Sequence, residues 1–576
     1  MKRWLSLGIV VALLIAALAL SQLRKPHAEV SPDAVLHFIG DTEQEISRLP
    51  MSATRLSDAD EIRIGNELAE RYKYMENLQN DSDENQQFRR YIEKVGTNVA
   101  TRAQRKLPYK FHLIPEPYMI NAFAVPGGHV YVGKGLLDLM DSEDELASVL
   151  GHEVEHIDRR HAVERLQIEA RLRHLGLLRL LVALPLEVFE AGYSKEQELE
   201  ADREGTRLAV NSGYSPTGAV RMFEAFDRRF REAKEEQAKS PQAEAAGLAV
   251  TTLTDYFRTH PSSQERIAQI QNLITQENWS AHDEKPFALA YLLWTDRARI
   301  ALQQHNYKEA AGLASRALES YPNHEPALRI EADAEYYQAN FARAAEIYRD
   351  LLKLQPNNLG YIQHYAFLLS CSDRRNAASQ FSQILPTINN SPQVLDTLAG
   401  LQLLAGKSEA ADRVVTELHD HPELNVSDRL AWLGWWYYLA GDPEHAHEML
   451  EGAVQQRPAN ATYLVNFAWT NIEQRRYADA LNTLRIADSY ATTHSDANED
   501  EAALKAEIST ATAVAFWLSE NRDNAINEYR TAIDREPSWT NPAWYEPQYS
   551  KLVSDTIAQM KSESDRRKKA QEARKP

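Results

Sequence analysis

The second half of the chain repeats about every 34 residues, and this period limits its fold more than any other feature of the sequence. Each repeat is an apolar helical pattern with an alanine in the same place. The alanines follow one another at steps of 34, 34, 33, 35, 34 and 45 residues, at Ala310, Ala344, Ala378, Ala411, Ala446, Ala480 and Ala525. A unit of this length holds a helix pair that buries its apolar face only against its neighbours. The sequence therefore predicts an all-α solenoid of about seven helix pairs over residues 287–545.

A period of 34 residues is typical of tetratricopeptide repeats. Aromatic residues stand three positions before three of the alanines, at Tyr307, Phe341 and Tyr477, which suits close packing of a ring on a small residue. Such solenoids bind partners on a concave surface. One repeat carries an aromatic cluster whose helical spacing favours the repeat core, and the alternative is a peptide pocket. The cluster consists of Trp432, Trp435, Trp436, Tyr437 and Tyr438.

The first half of the chain contains the sequence HEVEH at residues 152–156, which is the pattern HExxH. On a helix, two histidines four residues apart lie on one face and can hold one Zn²⁺, while Glu153 can take a proton from a water on the metal. The apolar residues Leu146, Val149 and Leu150 predict that this helix is buried. The alternative is a pair of surface histidines on an acidic helix.

A catalytic zinc of this kind needs a third protein ligand. The acidic run at residues 196–205 has helical composition and carries Glu198 and Asp202 four residues apart. Glu198 is the candidate third ligand, and Asp202 is the candidate acceptor for the second ring N–H of a ligating histidine. The alternative is a solvated acidic face. His161 follows the pentad by five residues, and this spacing predicts a structural residue turned away from the ligand face.

Two further motifs precede these residues, so that four motifs follow one another along the chain. They are NAFAVPGGHVYV at residues 121–132, GLL at 135–137, HEVEH at 152–156 and the ExxxD run from Glu198 to Asp202. In this order they resemble the gluzincin metallopeptidases that include the CAAX prenyl endopeptidases and the membrane heat-shock protease. The resemblance covers residues 57–275 and implies a mainly α metallopeptidase domain with a small β-sheet.

The resemblance also implies roles for single residues. His152, His156 and Glu198 would bind one Zn²⁺ per chain, Glu153 would be the general base, and Asp202 would orient a ligand histidine. The reaction would be hydrolysis of peptide bonds by an activated water, without a covalent intermediate.

Two features near this site concern substrate and regulation. His129, Val130, Tyr131 and Val132 follow a Pro-Gly-Gly turn and predict a short strand, which in the family resembles an edge strand that holds an extended substrate. The alternative is a core strand. By resemblance, His260 would be a removable fourth metal ligand that keeps the enzyme latent. Without the resemblance, His260 is a turn or capping residue.

Composition limits the remaining choices. A chain of 576 residues is too long for a single core, so two or more domains are expected. The net charge of −19 argues against a nucleic-acid partner, because phosphate binding needs a basic face. The single cysteine, Cys371, excludes an internal disulfide and a zinc site made of several cysteines.

The N-terminus predicts export from the cytoplasm. Two basic residues precede an apolar run that ends in an acceptable cleavage site. Residues 1–21 are therefore predicted to be a signal peptide, followed by a linker at residues 22–56. The alternative is an inner-membrane anchor at residues 4–23. A second apolar stretch at residues 175–189 is too short and too interrupted to span a bilayer, and it is expected to cover the active site or touch a membrane surface.

Two further boundaries follow from composition. Residues 276–286 predict a linker between the two domains, and residues 546–576 predict a C-terminal helix with a basic tail. An exported protease of this family that carries repeats is similar to bacterial envelope proteases that serve the assembly of outer-membrane β-barrel proteins.

That similarity implies a zinc endopeptidase of the periplasm. Its substrates would be unfolded or stalled envelope proteins, and its repeats would recruit these substrates or the β-barrel assembly machinery. The alternative function is a chaperone or scaffold with little proteolytic turnover. Protein partners and peripheral membrane contact are expected, and nucleic acid is not.

Overall fold

The computed structural model describes residues 56–76, 81–117, 119–164, 193–239, 263–281, 283–388, 391–417, 426–491 and 499–572. Contacts divide the chain into two compact units, Met1–Leu289 and Ala290–Pro576. The first unit combines helices with a small sheet and the second is helical, which confirms the predicted fold class. The predicted leader, the apolar stretch at 175–189 and His260 lie outside the described residues. Among the helices described, none has the length and apolar character needed to cross a membrane.

Four of the main helices of the first unit begin at a serine cap. Ser57, Ser82, Ser142 and Ser194 each accept a hydrogen bond from the backbone N–H three residues further on. Such a cap stabilises a helix by about 1 kcal/mol, and at Ser194 the side chain of Gln197 completes a capping box. The α-helices are α1 (Asp58–Tyr72), α2 (Asp83–Ala100), α3 (Lys134–Leu137), α4 (Glu143–Asp158), α5 (Lys195–Asn211), α6 (Gly218–Lys239) and α7 (Ser263–Gln276).

The sheet has three strands in the order β1-β3-β2. The middle strand is parallel to β1 and antiparallel to β2. Gly127 and Gly128 turn the chain between β2 and β3 with φ angles of 86° and 106°, which other residues rarely adopt. The strands are β1 (Lys110–Ile114), β2 (Ala122–Val125) and β3 (His129–Gly133).

The prediction that His129, Val130, Tyr131 and Val132 form a substrate edge strand is wrong. These residues lie in β3, whose backbone is hydrogen-bonded to β1 on one side and to β2 on the other. Its N–H and C=O groups are therefore not available to a substrate chain. All residues of β3 are buried, so the alternating pattern belongs to a core strand.

Helices α4 and α5 cross at two glycines. A Cβ atom on Gly151 would lie 2.5 Å from the carbonyl oxygen of Gly205, and a Cβ atom on Gly205 would lie 2.6 Å from the backbone nitrogen of His152. Neither position has room for a side chain, so the two backbones approach more closely than other residues allow. The crossing brings the first turns of α5 against the last turns of α4.

The segment predicted as a linker, residues 276–286, packs against the first unit. The backbone N–H of Glu143 donates to the carbonyl oxygen of Lys285 at 2.8 Å, and Ser142 forms an isolated β-bridge with Pro286. This segment therefore completes the first unit before the helix pairs begin.

The second unit consists of helix pairs that follow one another along the chain. All seven alanines of the repeat lie in the second helix of a pair and are at most 5% exposed. Each fills a helix contact that has little room for a larger side chain. The pairs are α8 (Ala290–Gln303) and α9 (Tyr307–Ser320), α10 (Glu325–Tyr337) and α11 (Phe341–Leu354), α12 (Leu359–Ser372) and α13 (Ala377–Ile384), α14 (Pro392–Leu404) and α15 (Ser408–Glu417), α16 (Val426–Ala440) and α17 (Pro443–Gln456), α18 (Ala461–Glu473) and α19 (Tyr477–Ala491), and α20 (Glu499–Leu518) and α21 (Arg522–Arg535).

After the last pair, the chain returns across earlier helices of the same unit. We call residues 536–550 the closure segment; it contains the short helix α22 (Pro542–Tyr545) and leads into α23 (Lys551–Glu572). Trp539 and Trp544 of this segment are 1% and 4% exposed. The closure segment is thus part of the core of the repeat unit.

Candidate metal centre

His152 and His156 lie one turn apart near the end of α4 and direct their Nε2 atoms to one place. These two atoms are 3.0 Å apart. Oxygens of Glu198 lie 3.6 Å from Nε2 of His152 and 3.7 Å from Nε2 of His156, and all three side chains are buried. In the part of the chain that the structure describes, this is the one group of three His, Cys, Asp or Glu side chains arranged to hold a metal ion.

The donor set fits zinc. Two imidazole nitrogens and one carboxylate are the protein ligands of many catalytic zinc sites, which leave a fourth position for water. Nitrogens bound to a tetrahedral zinc at about 2.0–2.1 Å lie roughly 3.4 Å apart. The separation of 3.0 Å between the two Nε2 atoms is close to this value. Small side-chain adjustments therefore suffice to complete the centre.

The local fold explains why these three residues meet. The histidines share one face of α4, whose buried Leu146 and Leu150 fix it in the core. Glu198 lies in the first turn of α5, directly after the capping box at Ser194. The close crossing at Gly205 holds that turn against α4.

Asp202 lies one turn after Glu198 and accepts a hydrogen bond from Nδ1 of His152 at 2.9 Å. This contact places the proton of the ring on Nδ1 and leaves the lone pair of Nε2 for the metal. Arg266 in α7 holds Asp202 with two hydrogen bonds of 2.7 and 2.6 Å. Burial opposes ionisation of Asp202, but Arg266 and His152 keep the pKa of this carboxyl well below its usual range.

His161 holds His156 in a similar way, a role that its spacing in the sequence did not predict. The Nδ1 atoms of the two rings are 3.0 Å apart, and Nε2 of His161 lies 3.5 Å from Glu200. If His156 offers Nε2 to a metal, its Nδ1 carries the proton and donates it to His161. Burial lowers the pKa of His161 to about 4, so its ring is neutral and can accept this hydrogen bond.

The interpretation of His161 as a residue turned away from the ligands is wrong because it assumed that the helix continues. Helix α4 ends at Asp158, and Arg160 has a φ of 64°, so the chain leaves the helical path. Ion pairs from Arg160 to Asp58 and Glu61 hold this turn. Helical periodicity in the sequence does not indicate this turn.

Two further contacts of the centre were also missed. The ring of Tyr193 stacks on His156 with centroids 3.8 Å apart, and the guanidinium of Arg266 lies 4.3 Å from the ring centre of Phe223. Both Tyr193 and Arg266 are distant in sequence from the histidines that they support. The predicted fourth ligand, His260, lies outside the described residues.

Glu153 is buried beside the two histidines. Burial raises its pKa to about 7, while His152 and the backbone N–H of Ala124 act in the opposite direction. Because Ala124 belongs to β2, the candidate general base lies between α4 and this strand. Among the described residues β2 pairs with β3 alone, so the strand beside Glu153 is an edge strand.

Comparison with known proteins agrees with this geometry. Residues 84–274 match the sequence model of Peptidase family M48, and residues 295–359 match a tetratricopeptide repeat model. The matched peptidase region contains all three candidate ligands and Glu153. The predicted resemblance to a metallopeptidase family, followed by tetratricopeptide repeats, is confirmed.

Three curated relatives show how far the similarity extends. The mitochondrial metalloendopeptidase OMA1 of Schizosaccharomyces pombe is 30% identical over 204 residues, which are 32% of this chain and 53% of that protein. The chain thus spans about half the length of that relative. The beta-barrel assembly-enhancing protease of Escherichia coli is 23% identical over 519 residues, which cover 82% of this chain and 96% of that protein. A putative beta-barrel assembly-enhancing protease of Vibrio cholerae is 28% identical over 47% of this chain and 56% of its own length.

Proposed function

We propose that this chain, a metallopeptidase of Peptidase family M48 with tetratricopeptide repeats, is a zinc endopeptidase that cuts unfolded or stalled proteins of the bacterial envelope. The observation that carries the proposal is the convergence of His152, His156 and Glu198 on one point beside the buried Glu153. The repeats would recruit substrates or partner proteins.

The side chains around the centre have different roles in the proposed reaction. A bound zinc ion supplies Lewis-acid chemistry, which polarises the scissile carbonyl and makes a water more acidic. Asp202 and His161 hold the protons of the two histidines on Nδ1 and keep each Nε2 available. Glu153 accepts a proton from the attacking water at a carboxylate oxygen and can return it to the leaving nitrogen. Burial raises the pKa of Glu153 above its usual range, which makes its carboxylate a stronger base.

The edge strand β2 gives the substrate a place beside this base. An extended chain that pairs with its outer side would present backbone amides to Glu153. Main-chain pairing requires an unfolded or flexible segment and reads few side chains, so we expect cleavage of non-native proteins over folded ones. This role replaces the one that the sequence predicted for residues 129–132.

The cellular setting is part of the proposal. The basic and apolar start of the chain, at residues 1–21, supports export to the periplasm; an inner-membrane anchor at residues 4–23 is the alternative. The names of the relatives from Escherichia coli and Vibrio cholerae support a role in β-barrel assembly. Cell fractionation with N-terminal sequencing tests this setting. We expect a periplasmic protein that begins near residue 22, and a cytosolic full-length chain would contradict it.

A comparison of Glu153→Gln with the unchanged protein tests the catalytic part. The variant should keep its zinc but lose roughly 10²–10⁴-fold in cleavage of casein, because the proton acceptor is gone. The matched control is Glu196→Gln, which changes an exposed carboxyl of the neighbouring helix and should cleave normally. Equal cleavage by all three proteins would contradict the assignment.

A chaperone or scaffold remains the second candidate function. It is favoured by the size of the repeat unit, which makes up half of the chain. In that case Glu153→Gln would support assembly of envelope proteins in cells as well as the unchanged protein does. A variant that loses both cleavage and cellular function would support the protease.

A further inference from the structure

We propose that a chamber in the repeat unit binds the C-terminal carboxylate of an unfolded polypeptide that ends in aromatic residues, and that Arg329 receives this carboxylate. The inference rests on the proposed recruiting role of the repeats and names the surface and the chemistry of the ligand. It does not depend on zinc or on cleavage.

The chamber has a volume of about 1110 Å³ and is lined mainly by the first helices of several pairs. Its wall includes residues of α10, α12, α16 and the start of α20. Sites for small molecules have volumes of roughly 300–1,000 Å³. This chamber is larger, so it has room for a short stretch of peptide.

The closure segment borders the chamber, and Glu536 at its start belongs to the wall. Tyr307 and Tyr336 donate hydrogen bonds of 2.7 Å to Glu536 and Gln548 of the segment, and Arg374 donates one of 3.0 Å to a backbone carbonyl of the segment. These contacts tie the segment to the first three helix pairs. A wall bordered on this side by a packed segment admits the end of a chain more easily than an internal segment, which has to leave again on another side. We therefore assign the site to a chain terminus.

The acidic side chains of the wall already have partners. Glu325, Asp333, Glu501 and Glu536 each accept a hydrogen bond from a neighbouring tyrosine, glutamine or lysine. Two of the three strongly basic wall residues are engaged as well: Lys505 pairs with Glu501, while Arg535 donates to a backbone carbonyl and a serine hydroxyl.

Arg329 is the exception. It is exposed on α10, lines the chamber, and makes neither a hydrogen bond nor an ion pair with any residue that the structure describes. A guanidinium has five N–H donors in a planar arrangement that matches a carboxylate with two parallel hydrogen bonds. Its charge is therefore available to an anionic ligand, and a terminal carboxylate supplies the matching acceptor pair.

The surroundings of Arg329 favour an aromatic neighbour on the ligand. The wall also contains Phe367, Trp432 and Trp435, which are partly exposed. Aromatic rings prefer to pack on such surfaces in edge-to-face or offset arrangements. Together these groups suit a chain that ends in aromatic residues.

Fluorescence anisotropy with full-length Glu153→Gln protein tests the inference without cleavage of the probe. The probe is a fluorescein-labelled Gly-Ser peptide that ends in Tyr-Phe with a free carboxylate. Three related peptides have an amidated end, an end in Ser-Ser, or an amidated end with an internal Asp-Phe. The free acid should bind at least tenfold more tightly than the amide, because a charge-assisted pair is lost, and several-fold more tightly than the Ser-Ser peptide.

A second substitution then locates the site. Arg329→Gln should weaken binding of the free acid about tenfold and leave binding of the amide unchanged. The matched control is Arg349→Gln on the adjacent helix, an exposed arginine that lies outside the chamber wall. Equal binding of acid and amide, or equal losses in the two variants, would overturn the proposal. Tighter binding of the internal Asp-Phe peptide than of the free acid would overturn the assignment to a chain end.

Discussion

The two units of this protein differ in where their candidate functional side chains lie: buried in the first unit and exposed or partly exposed in the second. In the first unit the candidate centre is built from buried charged side chains: Glu198, Asp202 and Arg266 are all at most 3% exposed. In the second unit the periodic buried positions are alanines, and the chamber wall carries exposed or partly exposed side chains such as Arg329 and Trp435. A change inside the first site therefore disturbs several partners at once, whereas a change on the chamber wall affects a ligand more than the fold.

Glycine substitutions should give the largest contrast between the units. Gly205→Val places a side chain where a Cβ would already lie 2.6 Å from the backbone of His152. Forcing α4 and α5 apart should cost about 1–3 kcal/mol or more and should abolish zinc binding. In the second unit, Gly312→Ala meets nothing within 4 Å and should stabilise α9 by about 0.5–1 kcal/mol.

Chemical denaturation and metal analysis of these two variants measure the contrast. If Gly205→Val keeps its zinc and its stability, the crossing of α4 and α5 does not hold the centre together.

Acid should affect the first unit through His129. This side chain is 2% exposed, and burial, followed by the charges of His112 and Lys110, lowers its pKa to about 4. The unfolded chain binds a proton near pH 6.5, but the folded chain does so only near pH 4. The contribution of neutral His129 to the free energy of unfolding is therefore complete above pH 6.5. It falls by up to about 3 kcal/mol as the pH drops to 4.

Urea denaturation between pH 7 and pH 4.5 tests this effect. His129→Gln should reduce the loss of stability in this window, whereas His445→Gln, which removes a largely exposed histidine of the second unit, should not. Identical pH profiles of His129→Gln and the unchanged protein would contradict the account of this buried histidine.

His161 should have a smaller effect that is confined to the metal. His161→Ala removes the acceptor of the Nδ1 proton of His156, and loss of such a support costs roughly 10–100-fold in metal affinity. Competition with a zinc chelator measures the affinity, with His445→Ala as control. Unchanged affinity in His161→Ala would show that His156 keeps its orientation without this neighbour.

How much the sequence predicted also differs between the units. In the second unit each helix pair packs against the pairs next to it along the chain, so the spacing of Ala310 to Ala525 was sufficient to predict a solenoid. The closure segment was not predicted, because its contacts join residues up to 229 positions apart and belong to no repeat.

In the first unit the local pattern predicted part of the centre. The i, i+4 spacing gave His152 and His156, and the same spacing in α5 placed Glu198 and Asp202 one turn apart. The support from His161 depends on a left-handed residue after α4, and the central position of β3 depends on pairing with β1. Neither contact produces a periodic pattern in the sequence.

Zinc content tests the central claim most directly. Purified full-length protein should contain one zinc per chain by elemental analysis, Glu198→Gln should lose most of it, and Glu196→Gln, two residues away on the exposed side of α5, should keep it. If Glu198→Gln retains a full equivalent of zinc, or if the unchanged protein binds none, the centre formed by His152, His156 and Glu198 is not the metal site of this protein.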